Sequence, residues 1–501
     1  MNRRNFIKSA GASAAVFSIA PSHVLGGQNQ VAPSEKLTMA LVGCGTQGLR
    51  ELPALLALPD VQFVAVCDPN KDSHAYVDWS KDGLRKAIAT AMGNPQWRQG
   101  VPGIPGGREV AREMIETYYA NNRPSGSFKG CKAYADFQEM LDKETGLDAI
   151  KIMTPDHLHA AIAVAALRKG KRVAVHKPLA NRLQEARWVI DTARQTGVPT
   201  HFLPASYGGD ILTAINWVRE GAIGQLREIH NWSNRPVWPQ YPTLPTDTPP
   251  VPKDFDWNLW LGPCLDRPYH PHYTNAVFRG WYDFGGGALA DMGHYSLWQV
   301  FIELDLDAPI MVESTPSHIC TINDQVSLKI NNDYAFPAAS TIRFKFAAKD
   351  SRPALDLFWY DGGMRPQTPD ELIEDKKELS AEGMLFIGDQ GKILAKFRGE
   401  APTIISQRKA HELPANRGAK ERIADNPHTS WVAAFRSGGP TYGSFLKAGP
   451  ISEAFNLAAI SLRLGGKRLH WDSQAMNLIN RPKDNKYLAR EYRPGWDLKP
   501  A

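Results

Sequence analysis

Four side chains in this 501-residue chain could share acid–base work: Lys177, Asp291, His294 and Tyr295. A glycine run, Gly285-Gly286-Gly287, leads into Ala288 to Tyr295, which reads as the start of a helix. Positions i, i+3 and i+4 share a helix face, so Asp291, His294 and Tyr295 are expected together. A carboxylate, an imidazole and a phenol on one face can hold a hydroxyl and move its proton. Lys177 follows a short apolar run, Arg172 to Val175, and could add a cation. A solvated polar helix face would group the same residue types, so this cluster alone leaves both readings open.

A second cluster binds rather than reacts. Leu37 to Val42 is apolar, then comes Gly43-Cys44-Gly45-Thr46-Gln47-Gly48, then a helix-like stretch from Leu49 to Leu58. A further apolar run, Val61 to Cys67, ends at Asp68, twenty residues after Gly48. A GxGxxG between a strand and a helix, with an acid at this distance, is a dinucleotide fingerprint. Gly43 permits the tight turn, Gly45 admits a pyrophosphate, and Gly48 lets helix and strand pack closely. The N–H groups of Thr46, Gln47 and Gly48 open the helix and favour an anion. Asp68 would accept hydrogen bonds from the adenosine ribose and repel a 2′-phosphate. NAD is therefore expected over NADP.

The elements around these clusters alternate. Helices are expected at 108–120, 135–141, 159–169 and 183–196. Strands are expected at 148–153, 172–175 and 200–203. Such alternation implies a doubly wound parallel sheet, a Rossmann domain over residues 28–204. Ligands bind beyond the C-terminal strand ends of such sheets. Thr154-Pro155 and His176-Lys177-Pro178 would lie on that edge with the glycine turn. Residues 70–107 form a long insertion, rich in Gly and Pro near its end, on the adenosine side. Long loops are functional or solvated, and both remain open here.

After residue 205 the texture changes. A helix within 208–221 precedes strands at 225–233, 310–314, 339–346 and 354–360. Gly388-Asp389-Gln390-Gly391 reads as a hairpin turn feeding a strand at 392–397. Helices are expected at 428–436 and 451–464. Strands with few helices between them suggest a second α/β domain, 205–501, with an open and mainly antiparallel sheet. Overall the chain reads as α/β with two domains.

Net charge is +6. Removal of Arg3, Arg4 and Lys8 with an N-terminal signal would take it to about +3, too little to suggest nucleic acid as a partner. The five cysteines, Cys44, Cys67, Cys131, Cys264 and Cys320, are scattered and form no disulfide pattern. His270-Pro271-His272 and Asp156-His157-Leu158-His159 lack further ligands at metal spacing, so no metal is expected. Six tryptophans fall between positions 230 and 300. Most should be core, and one or two could stack on a ring-shaped substrate. Trp281, next to the glycine run, is the candidate, with Arg279 beside it.

The glycine turn with Asp68, Thr154-Pro155 with His159, Lys177-Pro178 and Gly285 to Gly293 together resemble the Gfo/Idh/MocA oxidoreductases. The resemblance extends from about Leu37 to the closing Leu488-Ala489-Arg490-Glu491-Tyr492. It implies an NAD-binding Rossmann domain and a C-terminal α/β domain whose open sheet is commonly an oligomer interface. A homo-oligomer is therefore expected. The implied chemistry is reversible oxidation of a hydroxyl on a sugar or cyclic polyol. It also implies a catalytic role for Lys177 and a cofactor-side role for Thr154, Pro155, His159 and His176.

Two residues depart from the family pattern. His176 stands where the family carries a glutamate before the lysine, which changes the electrostatics around Lys177. Many members place a histidine four residues after the helix aspartate. Here that residue is Tyr295, with His294 one place early. This resembles glucose–fructose oxidoreductase within the family and favours Tyr295 as the acid/base.

Asn2-Arg3-Arg4-Asn5-Phe6-Ile7-Lys8 and the small, weakly apolar residues 9–20 look like a twin-arginine export signal over 1–27. The apolar part is too short to span a membrane. Such a protein would work outside the cytoplasm, where free NAD is scarce, so a retained cofactor is expected. The redox cycle would then close on the substrate. One form oxidises a sugar and reduces a second carbonyl compound. The alternative is NAD-dependent glycoside hydrolysis by transient oxidation.

Overall fold

The structure is a computed structural model that describes residues 35–122, 127–203, 208–405, 426–496 and Leu498. The export segment 1–27 and the domain boundary at 204/205 lie outside the described residues.

Six strands form a parallel sheet: β1 (Leu37–Val42), β2 (Val61–Cys67), β3 (Lys132–Tyr134), β4 (Ala149–Ile152), β5 (Arg172–Val175) and β6 (Thr200–Phe202). Their order is β3-β2-β1-β4-β5-β6, every pair parallel. The chain order reverses between β1 and β4, which places the ligand-binding crevice beyond their C-terminal ends. Alternate residues of β1 enter different cores. Met39 and Leu41 pack with the helices Thr46–Leu56 and Arg108–Asn121, and Ala40 and Val42 with the helices His159–Arg168 and Leu183–Thr196. Local sequence sets the helix ends. Asp136 caps the helix Phe137–Lys143 by accepting from Gln138 N–H at 2.8 Å. Gly197, at φ 64°, ends Leu183–Thr196.

The insertion after Asp68 is ordered rather than a solvated loop. It contains the helix Gly83–Ala91 and buries Leu84, Ile88 and Trp97. It also reaches across to the second domain. Lys71 N–H donates to Asp254 O at 2.8 Å, and the Asn275 amide donates to Ala75 O at 2.8 Å.

The second domain holds a nine-stranded sheet built from β7 (Leu226–Trp232), β8 (Met311–Pro316), β11 (Ser340–Phe346), β12 (Leu355–Asp361), β13 (Gly383–Gly388), β14 (Lys392–Ala395), β15 (Thr403–Ile404), β16 (Leu469–Asp472) and β17 (Asn477–Leu478). The order is β15-β14-β13-β7-β12-β11-β8-β16-β17. All neighbours are antiparallel except β7 with β12. Strict alternation of buried and half-buried residues in β11 and β12 marks a sheet with one covered face. Helices Gly449–Arg463 and His294–Glu303 lie against it, with Phe455 among Phe301 and Phe344. The turn 388–391 joins β13 to β14 as the sequence suggests. A separate hairpin, β9 (Cys320–Asn323) and β10 (Val326–Lys329), stands off this sheet with all its residues exposed.

Candidate active site

A cleft begins at the glycine turn. Gly43, at φ 95°, leaves β1, and a Cβ there would lie 2.5 Å from Thr154 N. At Gly48 a Cβ would lie 2.4 Å from Gly43 O. Only glycine fits either position. Gly45 starts the helix Thr46–Leu56 without a side-chain cap, and Gly45, Thr46 and Gln47 line the cleft. The Asp68 carboxylate ends β2 and accepts from Cys44 N–H at 2.7 Å and Asn70 N–H at 2.8 Å. Burial pushes its pKa up to about 6, against the pull of those two N–H donors and Arg108. Thr154 lines the cleft, and its hydroxyl oxygen is buried with no hydrogen-bond partner among the described residues. A glycine cradle, an uncapped helix start, a carboxylate at the end of β2 and an orphaned hydroxyl together fit a dinucleotide. From the insertion, Tyr76, Val77 and Trp79 also line the cleft, with the Tyr76 ring lying against Gly45.

The cleft continues to His176 and Lys177, beyond the end of β5, and to Asp156 and Arg279. The Lys177 ammonium contacts Asp291 Oδ1 in a buried ion pair, and Arg279 Nε lies 2.9 Å from the same oxygen. Burial alone would raise the Asp291 carboxyl, but Lys177 and Arg279 hold it well below the usual carboxylate range. Burial lowers the Lys177 pKa, and Asp291 opposes that. The ammonium lies 5.1 Å from the centre of the Tyr295 ring, and the Arg398 guanidinium lies 4.5 Å from it. Tyr295 OH is 2.9 Å from His176 Nε2. Burial and the charges of Glu51 and Asp291 push the Tyr295 phenol well above its ordinary value. A neutral phenol thus sits between an ammonium and an imidazole, at the junction of the two domains.

Three expected site residues lie elsewhere. Leu289–Gly293 is a turn of π-helix, and the α-helix proper starts at His294. The wider turn breaks the shared face expected for Asp291, His294 and Tyr295. Asp291 and Tyr295 face Lys177, whereas His294 turns into the core. Its ring meets Phe455 at 4.5 Å and Phe202 at 5.2 Å, and Nδ1 lies 2.9 Å from Ala290 O. Burial lowers its pKa to about 3, so it is a neutral packing group.

Trp281 is also core. It stacks on Tyr241 at 5.1 Å, and its indole N–H donates to His272 O at 2.7 Å. Large aromatic area is buried there rather than offered to a substrate. His159 stands behind the cleft wall, with ring nitrogens 2.6 Å from Pro178 O and 2.9 Å from Thr154 O. It braces the ends of β4 and β5 against each other.

Five residues missed in the sequence belong to the site's surroundings. The half-buried Glu51 pairs with the buried Lys151 at 2.5 Å and lies 3.7 Å from His176 Nε2. A lysine inside the apolar strand Ala149–Ile152 was the signal for that pair. Asp156 accepts from Gly286 N–H at 2.9 Å and so ties the glycine run to the Thr154-Pro155 turn. Trp79 and Arg398 come from an insertion and a turn whose place in space no local pattern reveals. Among the described residues no group of three or more His, Cys, Asp or Glu could hold a metal ion, and no helix is long and apolar enough to cross a membrane.

Comparison with known proteins extends this picture. A family model described as an oxidoreductase family NAD-binding Rossmann fold matches residues 112–202. Another, described as an oxidoreductase family C-terminal alpha/beta domain, matches residues 225–338. Both models are those of the Gfo/Idh/MocA family, and each matches less than half of this chain. The nucleotide of this family's Rossmann domain is NAD. A glycosyl hydrolase family 109 protein of Stenotrophomonas maltophilia is 28% identical over 227 residues, 45% of this chain and 40% of its own. An alpha-N-acetylgalactosaminidase of Shewanella oneidensis is 24% identical over 242 residues, 45% of this chain and 44% of its own. The chain thus spans about two fifths of the length of these curated relatives. The fold matches the WlbA dehydrogenase of Bordetella pertussis, solved with NADH and UDP-GlcNAcA, at TM-score 0.50 and 14% identity. That match covers 87% of this chain and 99% of the other.

Proposed function

We propose that this protein is an oxidoreductase acting on a hydroxyl of a sugar or cyclic polyol, with NAD held tightly through turnover. The observation that carries the reading is the meeting of Lys177, from the nucleotide domain, with Asp291 and Tyr295 from the second domain, beside the glycine cradle. Bound NAD supplies the acceptor and donor of hydride. The helix start at Thr46, the Asp68 carboxylate and the Thr154 hydroxyl would hold it. Asp291 keeps Lys177 charged despite burial, and Arg279 shares the same carboxylate. The ammonium steadies negative charge on the substrate oxygen as its proton leaves. Tyr295 takes that proton at its phenolic oxygen as it gives up its own, and the exchange runs backward in the reverse direction.

The paired arginines near the N-terminus add an export proposal. A chain folded around its nucleotide would leave the cytoplasm with it and close its redox cycle on the substrate. The names of the curated relatives favour a second reading: glycoside cleavage through transient oxidation on the same residues.

Purified protein without added NAD separates the two. Release of nitrophenol from 4-nitrophenyl α-N-acetylgalactosaminide supports cleavage. Reduction of bound nucleotide by an aldose or polyol, reversed by a second carbonyl compound, supports the oxidoreductase. Neither response from nucleotide-loaded protein across a broad sugar and glycoside panel would overturn both.

A further inference from the structure

We propose that His176, backed by the Glu51 carboxylate, is the proton acceptor behind Tyr295. This inference rests on Tyr295 being the proton-transfer group. A neutral phenol buried beside two carboxylates is a poor base if it must first ionise. It can still take a proton if it gives one up in the same step. His176 Nε2, 2.9 Å from the phenolic oxygen, is in position to accept. The substrate O–H bond breaks and its proton bonds to Tyr295 oxygen. The Tyr295 O–H bond breaks and that proton bonds to Nε2. The hydrogen and two electrons of the substrate C–H bond pass to NAD, the co-reactant of the proposed reaction. The reverse reaction returns each proton along the same line.

The surroundings of His176 suit such a role. Glu51 Oε1 lies 3.7 Å from Nε2 and places negative charge where the imidazolium forms. The carboxylate itself stays ionised. Burial would raise its pKa, but the Lys151 ammonium holds it well below the usual range, with further hydrogen bonds from Lys151 and Gln47. Glu51 therefore stabilises the proton on His176 without taking it, by charge alone and from the same Nε2 side as Tyr295. The other charged or titratable groups around the ring are Lys177 on the same strand end, Lys151 from β4 and His159 from the neighbouring helix, and all three oppose its protonation. Burial opposes it most. His176 is thus neutral at rest, the relay requires its proton on Nδ1 so that Nε2 can accept, and Glu51 is the group that makes the charged state reachable.

The test uses full-length protein labelled with ¹⁵N-histidine. The expected wild-type signal near neutral pH is a neutral His176 with the proton on Nδ1, the signal being assigned by its loss in His176→Gln. Tyr295→Phe should shift the Nε2 resonance by removing its donor. Glu51→Gln should lower the His176 pKa by a unit or more and slow turnover of whichever probe sugar or glycoside is active by about tenfold or more. The kcat–pH profile should change shape, which a purely packing role for Glu51 would not produce. A resting proton on Nε2, or a His176 signal blind to both Tyr295→Phe and Glu51→Gln, overturns the inference. If Glu51→Gln fails to fold, Tyr295→Phe alone decides. Absence of NAD from the purified protein would instead sink the proposed function and leave these resonances readable.

Discussion

Asp68 offers the clearest quantitative handle. Its carboxylate is 8% exposed and accepts two main-chain N–H groups, yet burial raises its pKa from 3.8 to about 6. A raised carboxyl binds more protons in the folded than in the unfolded state between those values. Folding stability therefore falls as pH rises through that window, by about 3 kcal/mol for roughly two units at 1.36 kcal/mol each. A ribose diol donating to this carboxylate favours its charged form and pulls the pKa back down. NAD binding should then release protons near pH 5.5, about half a proton or more per site. Above pH 7 the release should vanish. Calorimetric titration of nucleotide-stripped protein in two buffers of different ionisation enthalpy reads the proton count directly. Asp68→Asn removes the charge and, because each carboxylate oxygen accepts a main-chain N–H, turns an amide NH2 toward one of those donors. It should abolish the release, weaken NAD about tenfold to a hundredfold, since hydrogen bonds to a charged group contribute about 1.5–3 kcal/mol, and narrow the gap to NADP. Proton uptake on binding, or an Asp68→Asn protein that prefers NAD as strongly as wild type, would refute the reasoning.

Other outcomes follow from the same geometry. Gly48→Ala drives a Cβ to 2.4 Å from Gly43 O, so the purified variant should carry far less nucleotide than wild type, read from its absorbance. Tyr295→Phe should cut turnover by about 10²–10⁴ with little loss of bound nucleotide, in steady-state assays of loaded enzyme. His294→Ala removes a neutral core ring and should lower the melting temperature while leaving the kcat–pH profile unchanged. Trp79, 54% exposed on the cleft wall with the Arg235 guanidinium 5.7 Å from its ring, should act in binding. Trp79→Ala should raise KM several-fold with kcat nearly constant.

The parts of this protein that were legible in the sequence are those governed by local rules. The glycine turn and Asp68 sit in one strand–turn–helix–strand unit, so spacing alone places them together. The parallel sheet follows from alternation, and the 388–391 turn from its glycines. The second sheet was legible only in outline. β13, β16 and β17 lack a clear alternating pattern, and the parallel pairing of β7 with β12 joins residues more than a hundred positions apart. At the site, helical periodicity placed His294 beside Asp291, but Gly293 abuts the Phe455 ring, and the π-turn there rotates His294 into the core. Trp281 looked available because it adjoins the glycine run, yet Tyr241 and Tyr273 enclose it. Lys151 carried the one overlooked clue, a charge within a buried strand. Its partner Glu51 lies a hundred residues away, beyond any local pattern.

The central claim is that this cleft holds NAD as a resident group beside Lys177 and Tyr295. Denaturing freshly purified protein and identifying the released nucleotide by mass and absorbance tests it most directly. The account predicts NAD or NADH, close to one per chain, retained through extensive dialysis. Protein that releases no nucleotide and binds none on addition, or that carries NADP instead, would contradict it.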